Sequence, residues 1–331
     1  MTAMSEMNRS ESPLESAAGA AGPQTTEAFA LLADETRLAI LLALWEEYDQ
    51  HADDNLVPFS QIFDRVAYDD SGNLRYHLEK LEGQFVRRHP DGGGYELRLP
   101  GTKLVRTVIA GAGTGASTFE RTEIDQPCLI CDAPTAISYR DGHLYWTCTE
   151  CEGVAPDRTE MEGFLSVHPF APAGLEARTP EEIQVASLAA ERRQIQSMFD
   201  GFCPDCSGAV DGRLVRCRDH TTDGTCETCG RRFAVWARFR CVVCKRAATL
   251  SPKTLALFHP AVIAFYYDHG LSVRFHADHP DRARQIFDRM HEHEMEIVSS
   301  EPPAVMVSAA MDGDEIRLTF DESISVVDVC R

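Results

Sequence analysis

Eleven of the twelve cysteines in this 331-residue chain stand at spacings that a shared metal ion can gather. Cys128 and Cys131 form one CxxC pair and Cys148 and Cys151 a second, with sixteen residues between the pairs. Zinc takes four thiolate or imidazole donors in a tetrahedron, and two CxxC knuckles on facing hairpins supply that set. Between them TAISYRDGHLYWTC alternates about an Asp-Gly turn, as the strands of a zinc ribbon do. A ribbon over residues 122–156 holds little apolar material, so its ion is expected to be structural.

Further along, CPDC, CRDH, CETC and CVVC provide Cys203, Cys206, Cys217, His220, Cys226, Cys229, Cys241 and Cys244, eight donors for two more four-ligand sites. One pairing nests them, with Cys217, His220, Cys226 and Cys229 inside and Cys203, Cys206, Cys241 and Cys244 outside. Another joins Cys203 and Cys206 to Cys226 and Cys229, and spacing alone does not decide between the two. The chain therefore calls for up to three structural zinc ions, with Cys330 left over. Residues 203–246 also carry nine cations against five acids, with Phe233, Trp236 and Phe239 interleaved. Such a segment reads first as a small aromatic core with solvated arginines, and alternatively as a nucleic-acid surface.

Upstream of the cysteines, TEAFALLADETRLAILLALWEE sets Leu38, Leu41, Leu42 and Trp45 at i, i+3, i+4 and i+7, which predicts a helix with one core-facing stripe. FSQIFDRV predicts a short helix from about Ser60, with Ser60 as its N-cap. Asp69, Asp70 and Ser71 then offer caps for NLRYHLEKLEG, where Leu74, Leu78 and Leu81 point inward and Phe85 continues the line. Gly72, Asn73, Tyr76 and Lys80 face outward, flanked by Arg75 and His77. FVRRHPDGGGYELRL follows as two short strands round a Gly-rich tip and carries Arg87, Arg88 and Arg98. Helix, helix, capped helix and hairpin compose a winged helix-turn-helix over residues 26–111, and its exposed amide, aromatic and cationic groups suit a major groove. The bland alternative is a winged helix used for protein contacts.

A net charge of -20 taken alone argues against a polyanion partner, but its distribution does not. Residues 26–70 hold two arginines against eleven acids, whereas residues 71–106 hold seven cations against four acids. Positive charge is concentrated on the expected reading helix and hairpin, as a DNA face requires. No apolar run approaches the ~20 residues of a membrane span, and the first residues lack the apolar core of a signal peptide. The chain is expected to be cytoplasmic, with no membrane partner, where clustered thiols serve metals more often than disulfides.

LADETRLAIL resembles the entry helix of ArsR-like regulators, and NLRYHLEKLE resembles their recognition helix. The acid-rich, lysine-poor composition resembles that of halophilic archaeal proteins. The whole order, ending in HPAVIAFYYDHG, resembles a group of halophilic archaeal transcriptional regulators. That resemblance implies a sequence-specific regulator that binds double-stranded DNA; its zinc modules are expected to serve homodimerisation, an effector, or contact with polymerase and the transcription machinery. One departure is plain: residues 1–127 contain no cysteine, so the thiolate sensor site of metal-responsive ArsR proteins has no ligands there. Winged helix and ribbon together also resemble a basal factor of the transcription factor E type.

A zinc enzyme is the third class, and no catalytic residues are expected. His77 and Glu79 with Pro127, Cys128 and Cys131 match the zinc deaminase signature formally, but Cys148 and Cys151 close the site. His276, His279, His291 and His293 read as solvated more readily than as ligands.

The expected fold is α+β and multidomain. A disordered tail (1–25) precedes the winged helix (26–111) and the ribbon (122–156). A helical connector (157–201) with a helix from about Pro180, a two-zinc Cys-rich module (202–249), and a small α+β region (250–331) with an antiparallel sheet turning at Asp312-Gly313 complete it.

Overall fold

The computed structural model describes residues 28, 30–52, 54–66, 70–111, 118–156, 161–221, 224–276 and 280–331. The tail over residues 1–25, Asp69 and His279 lie outside the described residues. What is described is a mixed α/β chain with several small antiparallel sheets, divided into two compact units, residues 1–115 and 116–331.

In the first unit Asp34 caps α1 (Glu35–Glu46) by accepting from the Arg37 amide at 3.0 Å. Its deepest residues are Ile40, Leu41, Ala43 and Leu44. Leu38, Leu42 and Trp45, expected on the core stripe, are only half-buried. This helix is apolar on most sides, so periodicity alone misplaces the stripe by a fraction of a turn.

Helix α2 (Phe59–Val66) starts one residue early, with the Pro58 carbonyl accepting from Gln61 and Ile62, and Ser60 falls inside its first turn instead of capping it. Asp70 caps α3 (Ser71–Leu81) through the Gly72 amide at 2.8 Å, and Leu74, Leu78 and Leu81 point into the core.

Strands β1 (Val86–Arg88) and β2 (Tyr95–Leu97) form the hairpin, and Val57 extends it through two backbone hydrogen bonds with Tyr95 at 2.8 and 2.9 Å. The approach is close enough that a Cβ at Gly94 (φ +150°) would stand 2.6 Å from the Val57 carbonyl oxygen. Helix α4 (Leu99–Ile109) closes the unit by burying Val105 in the same core.

The second unit is built on three antiparallel sheets. In the first, β3 (Phe119–Pro127), β4 (Pro134–Arg140), β5 (His143–Cys148) and β6 (Phe164–Pro169) run in sequence order, and β4 turns into β5 at Asp141-Gly142. Helix α5 (Pro180–Phe199) follows, opened by a capping box in which Thr179 and Glu182 exchange side-chain and backbone bonds. Strands β7 (Val210–Arg216), β8 (Val235–Cys241) and β9 (Ala247–Leu250) make the second sheet.

After α6 (Pro252–Ala256), α7 (Pro260–Asp268) and α8 (Pro280–Glu292) comes a four-stranded meander. Its strands are β10 (Glu294–Ser300), β11 (Pro303–Met311), β12 (Asp314–Phe320) and β13 (Val326–Cys330).

One apolar core runs through all of these elements, from Ile137 and Trp146 through Leu188 and Phe239 to Val307 and Phe320. Trp146 packs its ring against Phe287 of α8 at 5.3 Å, and Phe199 of α5 meets Phe239 of β8 edge-on at 6.4 Å. Helix α5 is therefore an internal strut, and the sheets share its apolar flanks.

Candidate metal centres and a cationic helix face

Four turns of the second unit repeat one local geometry. The amides of Cys128, Cys203, Cys226 and Cys241 donate to the carbonyls of Ala133, Gly208, Arg231 and Arg246, five residues on in each case. The residue before each acceptor is left-handed: Asp132 (φ 59°), Ser207 (φ 59°), Gly230 (φ 62°) and Lys245 (φ 66°). This tight turn folds a CxxC pair back on itself so that both sulfurs point the same way. Only Gly230 announces such a turn in the sequence; the other three positions carry side chains in a conformation that glycine adopts more readily.

The turns bring the donors into three groups: Cys128, Cys131, Cys148 and Cys151; Cys203, Cys206, Cys241 and Cys244; and Cys217, His220, Cys226 and Cys229, each with ligand atoms within 4.8 Å of one another. Of the two pairings that spacing leaves open, this is the nested one.

Facing sulfurs lie 3.7 Å apart (Cys128–Cys151), 3.6 Å (Cys131–Cys148) and 3.5 Å (Cys203–Cys244 and Cys206–Cys241). A disulfide requires about 2.05 Å. A tetrahedron of sulfurs about 2.3 Å from a central ion has edges of about 3.8 Å. The donor sets fit a metal ion of that size.

One cysteine of each group is held towards the thiolate, while burial and the neighbouring thiols push Cys128, Cys151 and Cys217 up, and Cys244 is raised although the Arg246 amide opposes it. Burial pushes Cys148 up, but the amides of Cys151 and Glu150, both 3.3 Å from its sulfur, and the neighbouring thiols bring it down to about 7. Cys241 is lowered to about 6, with burial again opposing the amides of Cys244 and Val243. Cys226 is lowered to about 6, chiefly by the Thr221 amide.

His220 directs Nε2 to the Arg232 carbonyl at 3.2 Å and Nδ1 to the Cys229 sulfur at 3.6 Å. Nε2–H donates to that carbonyl, which leaves the Nδ1 lone pair for an ion. Helix α8 reaches the first cluster through His291, whose Nδ1 lies 2.6 Å from the Leu129 carbonyl between Cys128 and Cys131.

His293 is buried, with Nε2 2.7 Å from the Tyr266 hydroxyl and Nδ1 2.9 Å from the Lys253 carbonyl. Its nitrogens are engaged in the core, and no metal group among the described residues includes His276, His291 or His293. Cys330 stays exposed and apart from all three groups.

On the first unit, α3 exposes Asn73, Arg75, Tyr76 and Lys80. His77, expected to flank that face, is instead 7% exposed, with Nδ1 3.5 Å from the Asp34 carboxylate. It falls three residues after Leu74 and four before Leu81, on the buried stripe.

Aromatic rings seat several cations here: Arg75 lies 5.0 Å from the Phe59 ring centre, Lys80 5.4 Å from Tyr76, and Arg88 6.0 Å from Tyr95. Arg87 pairs with Glu96 at 2.7 Å, while Arg75, Lys80, Arg88 and Arg98 form no ion pair among the described residues. Arg65 on α2, by contrast, is held between Glu46 and Glu47. The helix–hairpin surface therefore keeps uncompensated positive charge in an otherwise acidic chain. Among the described residues no helix is long and apolar enough to cross a membrane.

Comparison with protein families gives two matches. Residues 125–326, more than half of the chain, match a family described as "Domain of unknown function (DUF7351)", and residues 25–108 match one described as "Domain of unknown function (DUF7347)". A search of curated proteins returns no match.

Proposed function

From a chain that belongs to the DUF7351 family, we propose a sequence-specific, DNA-binding transcriptional regulator whose metal centres are structural zinc sites. The observation that carries this reading is the uncompensated charge of α3 and its hairpin, where Arg75, Lys80, Arg88 and Arg98 stand without carboxylate partners among the described residues.

In this reading residues 26–111 are an ArsR-like winged helix-turn-helix. Helix α3 enters the major groove, with Asn73 suited to adenine and Arg75 to guanine, while Lys80 and the hairpin arginines take phosphates. His77 then acts from inside, packing the back of the reading helix. Each phosphate contact costs about 0.9 in the slope of log affinity against log salt. In a salt-rich cytosol the base contacts of Asn73, Arg75 and Tyr76 therefore carry much of the specificity.

Zinc suits the three donor sets because thiolate and imidazole donors in tetrahedral array select it, and its lack of redox chemistry suits a structural role. Cys128, Cys131, Cys148 and Cys151 would hold one ion, Cys203, Cys206, Cys241 and Cys244 a second, and Cys217, His220, Cys226 and Cys229 a third. Four protein donors at each site leave no position for a substrate. The second unit then serves as a platform for dimerisation, for an effector, or for contact with the transcription machinery.

The test is sequencing of genomic fragments retained by the purified protein in multimolar KCl, beside an Arg75→Ala, Lys80→Ala double variant. Enrichment of a few discrete sites, lost in the variant, is the expected result. Retention of nothing specific overturns the reading, and occupancy of most promoters transfers it to a basal factor.

A further inference from the structure

The outer face of the β7–β9 sheet carries cations that neither the metal centres nor the core employs. Strand register identifies them: Arg213 stands opposite Arg238, Asp211 opposite Arg240, Val215 opposite Trp236, and Arg238 opposite Thr249. The alternate residues Leu214, Ala237, Phe239 and Leu250 are buried.

Like charges facing each other across two strands are unfavourable. A chain with 52 acids to 32 cations has acids to spare for neutralising them. Elsewhere it does so, pairing Arg246 with Asp205 and Arg317 with Glu315. Yet Arg213, Arg238 and Arg240 form no ion pair among the described residues. Trp236 shares this face, half-buried, with its indole N–H donated to the Phe233 carbonyl at 2.8 Å. The Arg231 guanidinium lies 4.9 Å from its ring centre and the Phe233 ring 5.7 Å away.

We infer that this sheet face binds single-stranded nucleic acid, with Arg213, Arg238 and Arg240 on the phosphates and a base stacked at Trp236. A ring whose only donor is already engaged has nothing with which to read a base edge in a groove, but it does offer apolar surface to an unpaired base. A sheet face with Arg238 and Arg240 ranked along the strand beyond Trp236, and Arg213 across from Arg238, suits a flexible single strand, whose phosphates and bases are presented together. Stacking also survives concentrated salt, where phosphate contacts alone weaken. The site is independent of the α3 reading, since it lies wholly in the second unit.

The experiment is fluorescence anisotropy of a labelled mixed-sequence DNA strand of about 12 nucleotides, titrated with the full chain across a KCl series. Trp236→Ala is expected to weaken binding about tenfold to a hundredfold, and Trp236→Phe to restore most of it. Arg213→Ala with Arg238→Ala is expected to reduce the salt slope by about 1.4, two contacts at ~0.7 each.

Each variant is compared with the parent by circular dichroism, and Trp236→Phe keeps the test valid if the alanine variant misfolds. Unchanged binding in both the Trp236→Ala and the double-arginine variants overturns the proposal. So does loss in the Arg75→Ala, Lys80→Ala variant with retention in the sheet variants, which would move the strand to α3. Equal competition by duplex DNA at matched nucleotide concentration also overturns it.

Discussion

Cys203 and Cys244 are 41 residues apart in the chain and hold their sulfurs 3.5 Å from each other. That closure joins the segment before β7 to the turn after β8, at a spacing a metal ion could bridge. Eleven cysteines stand in such groups, and Cys330 is the one outside them. The native protein is expected to release three zinc ions per chain to a chelator with mercurial titration, and to show one freely reactive thiol beforehand. Fewer than three ions, or several reactive thiols in the metal-loaded protein, would contradict the structural-zinc assignment.

The left-handed turn residues predict substitutions of opposite sign. Lys245 adopts φ 66° at a position where its side chain gains nothing from that geometry, so Lys245→Gly should be neutral or stabilise by up to about 1 kcal/mol. Gly230 occupies the equivalent place at φ 62°, and Gly230→Val should destabilise by about 1–3 kcal/mol and weaken metal retention at the inner site. Thermal melts of the two variants, run beside zinc release, decide the matter.

Burial holds the His293 imidazole neutral and lowers its pKa to about 4, with the nearby Lys253 charge adding to the effect and the Lys253 carbonyl opposing it. A histidine depressed below its unfolded value near 6.5 contributes stability that is complete above that pH. The contribution is lost as pH falls from about 6.5 towards about 4 and amounts to on the order of 3 kcal/mol. His293→Phe removes the titration along with the Tyr266 hydrogen bond. Its stability should be lower at pH 7 and flatter than the parent's over that window in denaturant titrations; parallel pH profiles would refute the assignment.

Gln184 on α5 is 2% exposed, and neither its amide oxygen nor its nitrogen finds a hydrogen-bond partner among the described residues. Replacing it with an apolar side chain of similar length removes an uncompensated polar group from the interior. Gln184→Met is expected to stabilise the second unit by about 1–3 kcal/mol. A drop in the unfolding midpoint would show that the amide has partners in solution and is part of a needed polar network.

Cysteine spacing proved the most informative signal in the chain because a tetrahedral ion imposes geometry that secondary-structure propensity does not. It defines which four-donor groupings are possible, and the β7–β8 pairing selects among them by laying Val210 beside Cys241 and Arg216 beside Val235. Asp312-Gly313 was equally legible, since a turn flanked by alternating strands has few other readings; β11 and β12 pair on either side of it.

Other features depend on three-dimensional context. His77 is polar by type, yet helical phase places it among leucines, with the Asp34 carboxylate 3.5 Å from its Nδ1. Helix α8 buries Ala283, Ile286 and Phe287, a stripe diluted by charges and histidines. The sharing of one core by first sheet, strut and meander leaves no trace in any single segment, because Trp146 meets Phe287 only after 140 intervening residues have folded.

The nesting of one metal group inside another gives assembly a direction. Cys217 to Cys229 spans twelve residues in the excursion between β7 and β8, while Cys203 to Cys244 encloses all of it. Closing the longer loop from an open chain costs roughly 1 kcal/mol more in entropy than closing the shorter one. With the inner loop already pinned, much of that difference disappears, because the ends of β7 and β8 are delivered to each other in register. An ion bound first at the inner site would thus ease closure of the outer one.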